Sequence, residues 1–91
     1  MDIRWSPEAA DDLERIVDRI ERENPAAAQR VAQLIYERCD SLSDLPNRGR
    51  LGRIDGTREL IFAPLPYIVV YRVRAEIVEI ARIYHAAQEW P

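Results

Sequence analysis

Apolar residues recur along this chain with two different periods, and the change of period divides it in half. Asp2–Trp5 alternates polar and apolar side chains and predicts a short strand. Ala9, Leu13, Ile16, Val17 and Ile20 then return every three or four residues, as one stripe of a helix does. Ser6 and Pro7 mark its start: serine caps free amides, proline suits the first turn, and Glu8 complements the dipole. The opposite face, with Asp12, Arg15, Arg19, Arg22 and Glu23, is expected to be solvated. Asn24–Pro25 repeats the cap-then-proline signal, so a second helix begins almost at once. Its stripe is Ala28, Val31, Ile35, Cys39 and Leu42, with Leu34 beside it, and Pro46 is expected to close it. Two amphipathic helices joined this tightly form an antiparallel hairpin.

Beyond Pro46 the period falls to two. Residues 47–56 predict an open, glycine-bearing loop that gathers Arg48, Arg50 and Arg53. Residues 57–62, 67–74 and 77–84 read as strands; Pro64 and Pro66 turn the chain between the first two. Ala75–Glu76 is a two-residue turn without the usual glycine or asparagine. The whole is one domain, residues 1–91, of the α+β class: β-α-α-β-β-β, a helical hairpin on one face of a mainly antiparallel four-stranded sheet. A two-residue turn sets Arg72 opposite Glu79, Tyr71 opposite Ile80, Val69 opposite Arg82 and Tyr67 opposite Tyr84. The Tyr67/Val69/Tyr71/Val73 face is expected to pack on the helices. Ile68, Val70, Arg72 and Ile83 then share the other face, which is left open, since Ala86–Pro91 is too short to cover much. An apolar patch rimmed by charge suits a protein partner.

Composition narrows the chemistry. With 47% apolar and 32% charged residues the chain is ordinary globular protein. At 91 residues it buries only about 60–65% of its unfolded surface, so a partner would add stability. Nothing approaches a membrane span or a secretory leader, and the cytoplasm is the expected location. Cys39 is the only cysteine and His85 the only histidine, so disulfides, metal clusters and other cofactors are not expected. Cys39 lies in a helical stripe and reads as a core thiol. The net charge is −3, with −5 on residues 1–46 and +2 on residues 47–91, and every cation is an arginine. A mildly acidic chain is a poor general polyanion binder. Arginine also serves partner carboxylates well.

Particular stretches resemble the RelE/ParE toxins of bacterial type II toxin–antitoxin systems. They are Gly56–Leu60 (GTREL), Pro66–Val73 (PYIVVYRV) and Ile80–Pro91 (IARIYHAAQEWP), with Trp5–Leu13 (WSPEAADDL) and Asn24–Ala28 (NPAAA) before them. The likeness spans essentially the whole chain. It implies growth inhibition unless a cognate antitoxin, expected to be of the ribbon-helix-helix type, wraps the toxin. It also implies that operator DNA is bound only through the antitoxin. Ile68, Val70, Arg72 and Ile83 are the expected antitoxin contacts. Arg48, Arg50, Arg53 and Trp90 are the expected contacts to the target.

The family splits between RelE-like members, which cut mRNA in the ribosome, and ParE-like members, which poison DNA gyrase. RNA cleavage needs cations around the phosphorane and an acid–base pair. RelE-like nucleases place an arginine just after the aromatic residue that opens the third strand; here that position is Ile68. They carry basic and tyrosine residues after the fourth strand; here Ala86–Trp90 has no cation. Arg58, Arg72, Arg82 and His85 remain as catalytic candidates. The reading leans to a gyrase-binding toxin rather than an enzyme, with an mRNA endonuclease or a non-toxic antitoxin-binding adaptor as alternatives.

Overall fold

The computed structural model of the chain describes residues 1–88 and Trp90. Its elements are β1 (Asp2–Trp5), α1 (Pro7–Glu21), α2 (Pro25–Asp40), β2 (Arg50–Leu51), β3 (Arg58–Ile61), β4 (Tyr67–Arg74) and β5 (Ile77–His85), with a 3-10 turn at Ser41–Ser43. Both helices start at their cap signals. Ser6 Oγ accepts from the Ala9 amide at 3.0 Å, and Asn24 Oδ1 accepts from the Ala27 amide at 3.1 Å. Such a cap contributes ~1 kcal/mol. The end of α2 departs from expectation: the helix stops at Asp40 and leaves through the 3-10 turn, well before Pro46.

The sheet runs β1-β5-β4-β3-β2, with β1 parallel to β5 and the other pairs antiparallel. It has five strands rather than four. The added strand, β2, lies in the stretch expected to be an open loop, with Arg50 opposite Glu59 and Leu51 opposite Arg58. Tyr71 explains why that loop closes. Its hydroxyl accepts from the Gly49 amide and donates to the Pro46 carbonyl, both at 2.8 Å. Only glycine allows this approach, because a Cβ at position 49 would lie 2.8 Å from the Tyr71 ring and 2.9 Å from the Glu59 carbonyl oxygen.

The β4–β5 hairpin starts in the expected register. Arg74 faces Ile77, Arg72 faces Glu79 and Tyr71 faces Ile80. The turn is made without glycine by putting Ala75 at φ 52°, which costs ~1 kcal/mol. The register then slips: Val70 faces Arg82, Val69 faces Ile83 and Ile68 faces Tyr84. Ala81 is the extra residue of a β-bulge. It sits where β1 ends and α1 begins, and its carbonyl accepts from the Ser6 hydroxyl at 2.8 Å.

One slipped residue turns every later side chain to the opposite face. Ile83, expected on the open face, is buried against the helices together with Val69, Tyr71, Val78 and Ile80. Arg82 and Tyr84, expected on the helix side, belong to the outer face, where Tyr84 packs with Ile68 and Val70. The helix-covered core includes Ile35, Leu42, Phe62 and Cys39, all fully buried. Burial, with Asp40 nearby, pushes the Cys39 thiol up to about 12, which keeps it protonated and inert. Among the described residues no helix is long and apolar enough to cross a membrane.

Candidate functional site

The outer face of the sheet does not stay open. Trp90 folds back onto Ile68, Val70 and Tyr84. Its ring stacks on Tyr84 with centroids 5.1 Å apart and planes 18° apart, and the Arg82 guanidinium lies 5.2 Å from its centroid. Arg53 donates to the Trp90 carbonyl at 2.8 Å. Ile68, Val70 and Tyr84 are therefore buried, and the tail expected to cover little supplies the lid. The seat is imperfect. Tyr84 Oη and Trp90 Nε1 are buried with no hydrogen-bond partner among the described residues. An unpaired buried polar atom costs ~1–3 kcal/mol.

Two buried carboxylates hold the surroundings of this face. Asp12, expected on the solvated side of α1, is 5% exposed. Beyond Ser6 no strand among the described residues pairs the outer edge of β5, and Asp12 takes the place of a neighbouring strand. It accepts from the Ile83 amide at 2.9 Å, from Arg82 at 2.7 and 3.1 Å, and from Arg15 at 2.8 Å. Burial alone would raise its carboxyl, but the hydrogen bonds from Arg82, Ile83 and Arg15 outweigh it and hold the group below the usual carboxylate range. The same bond raises Arg82. The signal in the sequence was the Ala9–Asp12–Ile16 spacing, which puts Asp12 on the flank of the apolar stripe.

Glu59 does the same for the β2–β3 hairpin. Its side chain is buried on the outer face opposite Val70, accepting from Arg50 at 3.2 and 2.8 Å and from the Arg53 amide at 3.2 Å. Burial would raise this carboxyl too; the Arg50 and Arg53 contacts lower it overall. Nothing in the local sequence shows this pairing, because it depends on β2 forming.

The expected target contacts divide accordingly. Arg53 meets Trp90, and Arg50 is taken by Glu59. Arg48 lies apart, donating to the Ser41 hydroxyl at 2.9 Å. Of the expected antitoxin contacts, Ile83 lies in the helix-covered core, Ile68 and Val70 lie beneath Trp90, and Arg72 stands over Glu79 at 3.6 Å.

The catalytic candidates do not converge either. Arg58 is on the helix side of the sheet, donating to the Gly49 carbonyl at 2.8 Å. Arg72 is near the far turn with Glu79. Arg82 and His85 line one groove of about 930 Å³ between α1 and the end of β5. His85 Nδ1 accepts from the Ala87 amide at 3.0 Å, and its ring meets Tyr67 edge-on at 5.7 Å. Arg82 there is held by Asp12, and the four candidates do not gather at one point.

This arrangement offers arginines and apolar surface to a protein or an anion. Residues 3–90 match the family model of the ParE toxin of the type II toxin–antitoxin system parDE. Y4kP of Sinorhizobium fredii, provisionally named a toxin, is 45% identical over 98% of this chain and 92% of its own length. Toxin RelE2 of Caulobacter vibrioides is 43% identical over 92% of this chain and 93% of its own. A chain of the solved chromosomal ParDE system from P. aeruginosa superposes with a TM-score of 0.86 at 30% identity, over 93% of this chain and 95% of that one. The chain thus belongs to the ParE toxin family of type II toxin–antitoxin systems, within the RelE/ParE superfamily.

Proposed function

We propose that this toxin arrests growth by binding a protein, DNA gyrase, and not by cutting mRNA. The observation that carries the reading is that the catalytic candidates are mostly engaged and do not converge. Arg82 is locked to Asp12 and Arg58 to a loop carbonyl, Arg72 stands 3.6 Å from Glu79 near the far turn, and the His85 Nδ1 already accepts a backbone amide. Position 68, where RelE-like nucleases carry an arginine, is a buried isoleucine. A nuclease needs an acid, a base and free cations around one phosphate. The binding surface we assign to the target is the outer-face rim of Arg50, Arg53 and Trp90, with Arg48 nearest the 3-10 turn. The antitoxin, of the ribbon-helix-helix type, reaches Ile68 and Val70 only by lifting Trp90.

Expression without antitoxin tests this. Double-strand breaks with intact transcripts are the expected result; codon-specific cuts in ribosome-bound mRNA would sink the proposal. His85→Ala should stay toxic. The endonuclease reading rests on Arg82 and His85 sharing one groove and on the name RelE2 carried by the Caulobacter relative; loss of toxicity in His85→Ala with antitoxin binding intact would favour it.

A further inference from the structure

β1 is an edge strand of the sheet, and no strand among the described residues pairs its outer side. The Asp2 and Ser6 amides donate inward, to the Glu76 and Ile80 carbonyls at 3.0 and 2.9 Å. Successive residues of a strand turn their backbone groups to opposite sides, so the amides and carbonyls of Ile3 and Trp5 face outward. The side chains alternate as well. Ile3 and Trp5 pack toward the helices, which leaves Asp2 and Arg4 on the outer face, both exposed. Neither forms an ion pair among the described residues. Glu79, beside Arg4 in the register, stands 3.6 Å from Arg72 instead. Charged side chains guard a sheet edge against stray strands. Here the guard carries opposite signs two residues apart. It refuses most strands and admits one that reads acid and base in the reverse order, as an antiparallel copy of β1 does.

We infer that β1 is a docking edge for a second copy of this chain, the two strands joining antiparallel about Ile3. A twofold axis there lets the two Ile3 residues exchange N–H···O=C bonds and sets Asp2 of each copy opposite the partner's Arg4. Opposite charges directly across a strand pair attract, and like charges there repel. Centring the pair on Arg4 would set two arginines face to face, so the charges fix the register. The pairing also engages two exposed apolar side chains. Met1 is 41% and Tyr36 61% exposed. Tyr36 stacks on Trp5, at the other end of β1 from Met1, so reversing the second strand brings each Tyr36 toward the partner's Met1. The contact is short, because the Met1 ammonium and carbonyl already meet Ser43 and Asp2–Arg4 of each copy carry the backbone pairing. An interface this small gives a weak, reversible dimer. β2, at the other edge, has two residues, and its one charge, Arg50, is held by Glu59, so it offers no such match. The inference is independent of the target that the toxin binds.

The test is sedimentation of the toxin from about 10 μM to about 1 mM, the range of a weak interface, with amide hydrogen exchange followed at β1. The parent should pass from monomer toward dimer across that range. Exchange at the Ile3 amide should slow several-fold as it does, while the Arg4 amide, which already faces β5, stays as it was. Asp2→Arg and Arg4→Asp each set like charges across both pairs and should weaken association about tenfold or more. An equimolar mixture of these two variants should associate within about threefold of the parent, because each then presents the sign that the other lacks. Asp2→Arg/Arg4→Asp restores the match within one chain and should do the same. Melting curves show whether each variant is folded; if a single substitution unfolds the chain, the double variant decides. A parent that stays monomeric throughout overturns the inference, and antitoxin that slows exchange at Ile3 in that monomer assigns the edge to a different partner. A dimer that leaves Ile3 exchange unchanged, or that survives both single substitutions, uses another face and overturns it. Weak association in both the mixture and the folded double variant shows that the charge match does not direct the pairing, and overturns it as well.

Discussion

On the inner face of the sheet two helices cover Val69, Tyr71, Val78, Ile80 and Ile83, and the buried Tyr71 hydroxyl there both accepts and donates. On the outer face a single indole covers Ile68, Val70 and Tyr84, and Tyr84 Oη, Trp90 Nε1 and the nearby Arg72 Nε are buried without a hydrogen-bond partner among the described residues. Both faces are apolar and buried, yet they are finished to different standards. The inner face joins elements far apart in sequence and defines the fold. The outer face is closed by one residue beyond β5, Trp90, through one stack, one cation–ring contact and one carbonyl bond. Contacts of that kind open at low cost, as the partner binding proposed for this face would require.

The largest test of this difference uses one residue type on each face. Ile83→Ala, on the inner face, should cost ~3–5 kcal/mol in denaturant unfolding, because the helices cannot close the cavity. That is a large part of the ~5–13 kcal/mol available to a domain of this size. Next comes Asp12→Ala, which leaves the buried Ile83 amide without an acceptor and frees Arg82. We expect a loss of ~2–3 kcal/mol, and a weaker hold on Trp90 read as altered tryptophan fluorescence. Ile68→Ala, on the outer face, should cost ~2 kcal/mol, at the low end for its type, because Trp90 can settle into the space. Equal losses at positions 68 and 83 would break the comparison.

Acid sharpens it further. Asp12 and Glu59 are held below their ordinary values of 3.8 and 4.5. Depressed carboxyls contribute stability that is complete above the unfolded values and lost as pH falls through the lower folded ones. Stability should therefore be flat from neutrality down to about pH 5 and decline below about pH 4, and Asp12→Asn should remove part of that decline. An acid limb unchanged by the substitution would assign the loss elsewhere. The smallest effect is expected from Trp90→Ala, ~1 kcal/mol in stability, because the unpaired polar atoms offset much of what the ring buries. Its clearer readout is hydrogen exchange, which should quicken along the outer-facing residues of β4 and leave the inner helices unchanged.

Much of the fold was legible before any coordinates. Ser6–Pro7 and Asn24–Pro25 placed both helix starts, because a cap acts within one turn of the chain. Ala75–Glu76 placed the hairpin, and the register held from Arg74–Ile77 to Tyr71–Ile80. It failed at Ala81. That bulge answers to β1 ending at Trp5 and α1 starting beside it, some seventy-five positions away in sequence. Asp12 was misread for a related reason. Its helical position allowed either solvent or core, and only the unpaired edge of β5 decided between them.

The sequence by itself determined both helix starts, four of the five strands and their order, the family and the lack of an arginine at position 68, since each of these is written in local periodicity or in residue identity. The tertiary structure decided which way the residues after Ala81 point, which carboxylates are buried, and that Trp90 lies over the outer face. These depend on contacts between distant segments. A one-residue slip in a strand is invisible to alternation, because the pattern on either side of it remains apolar.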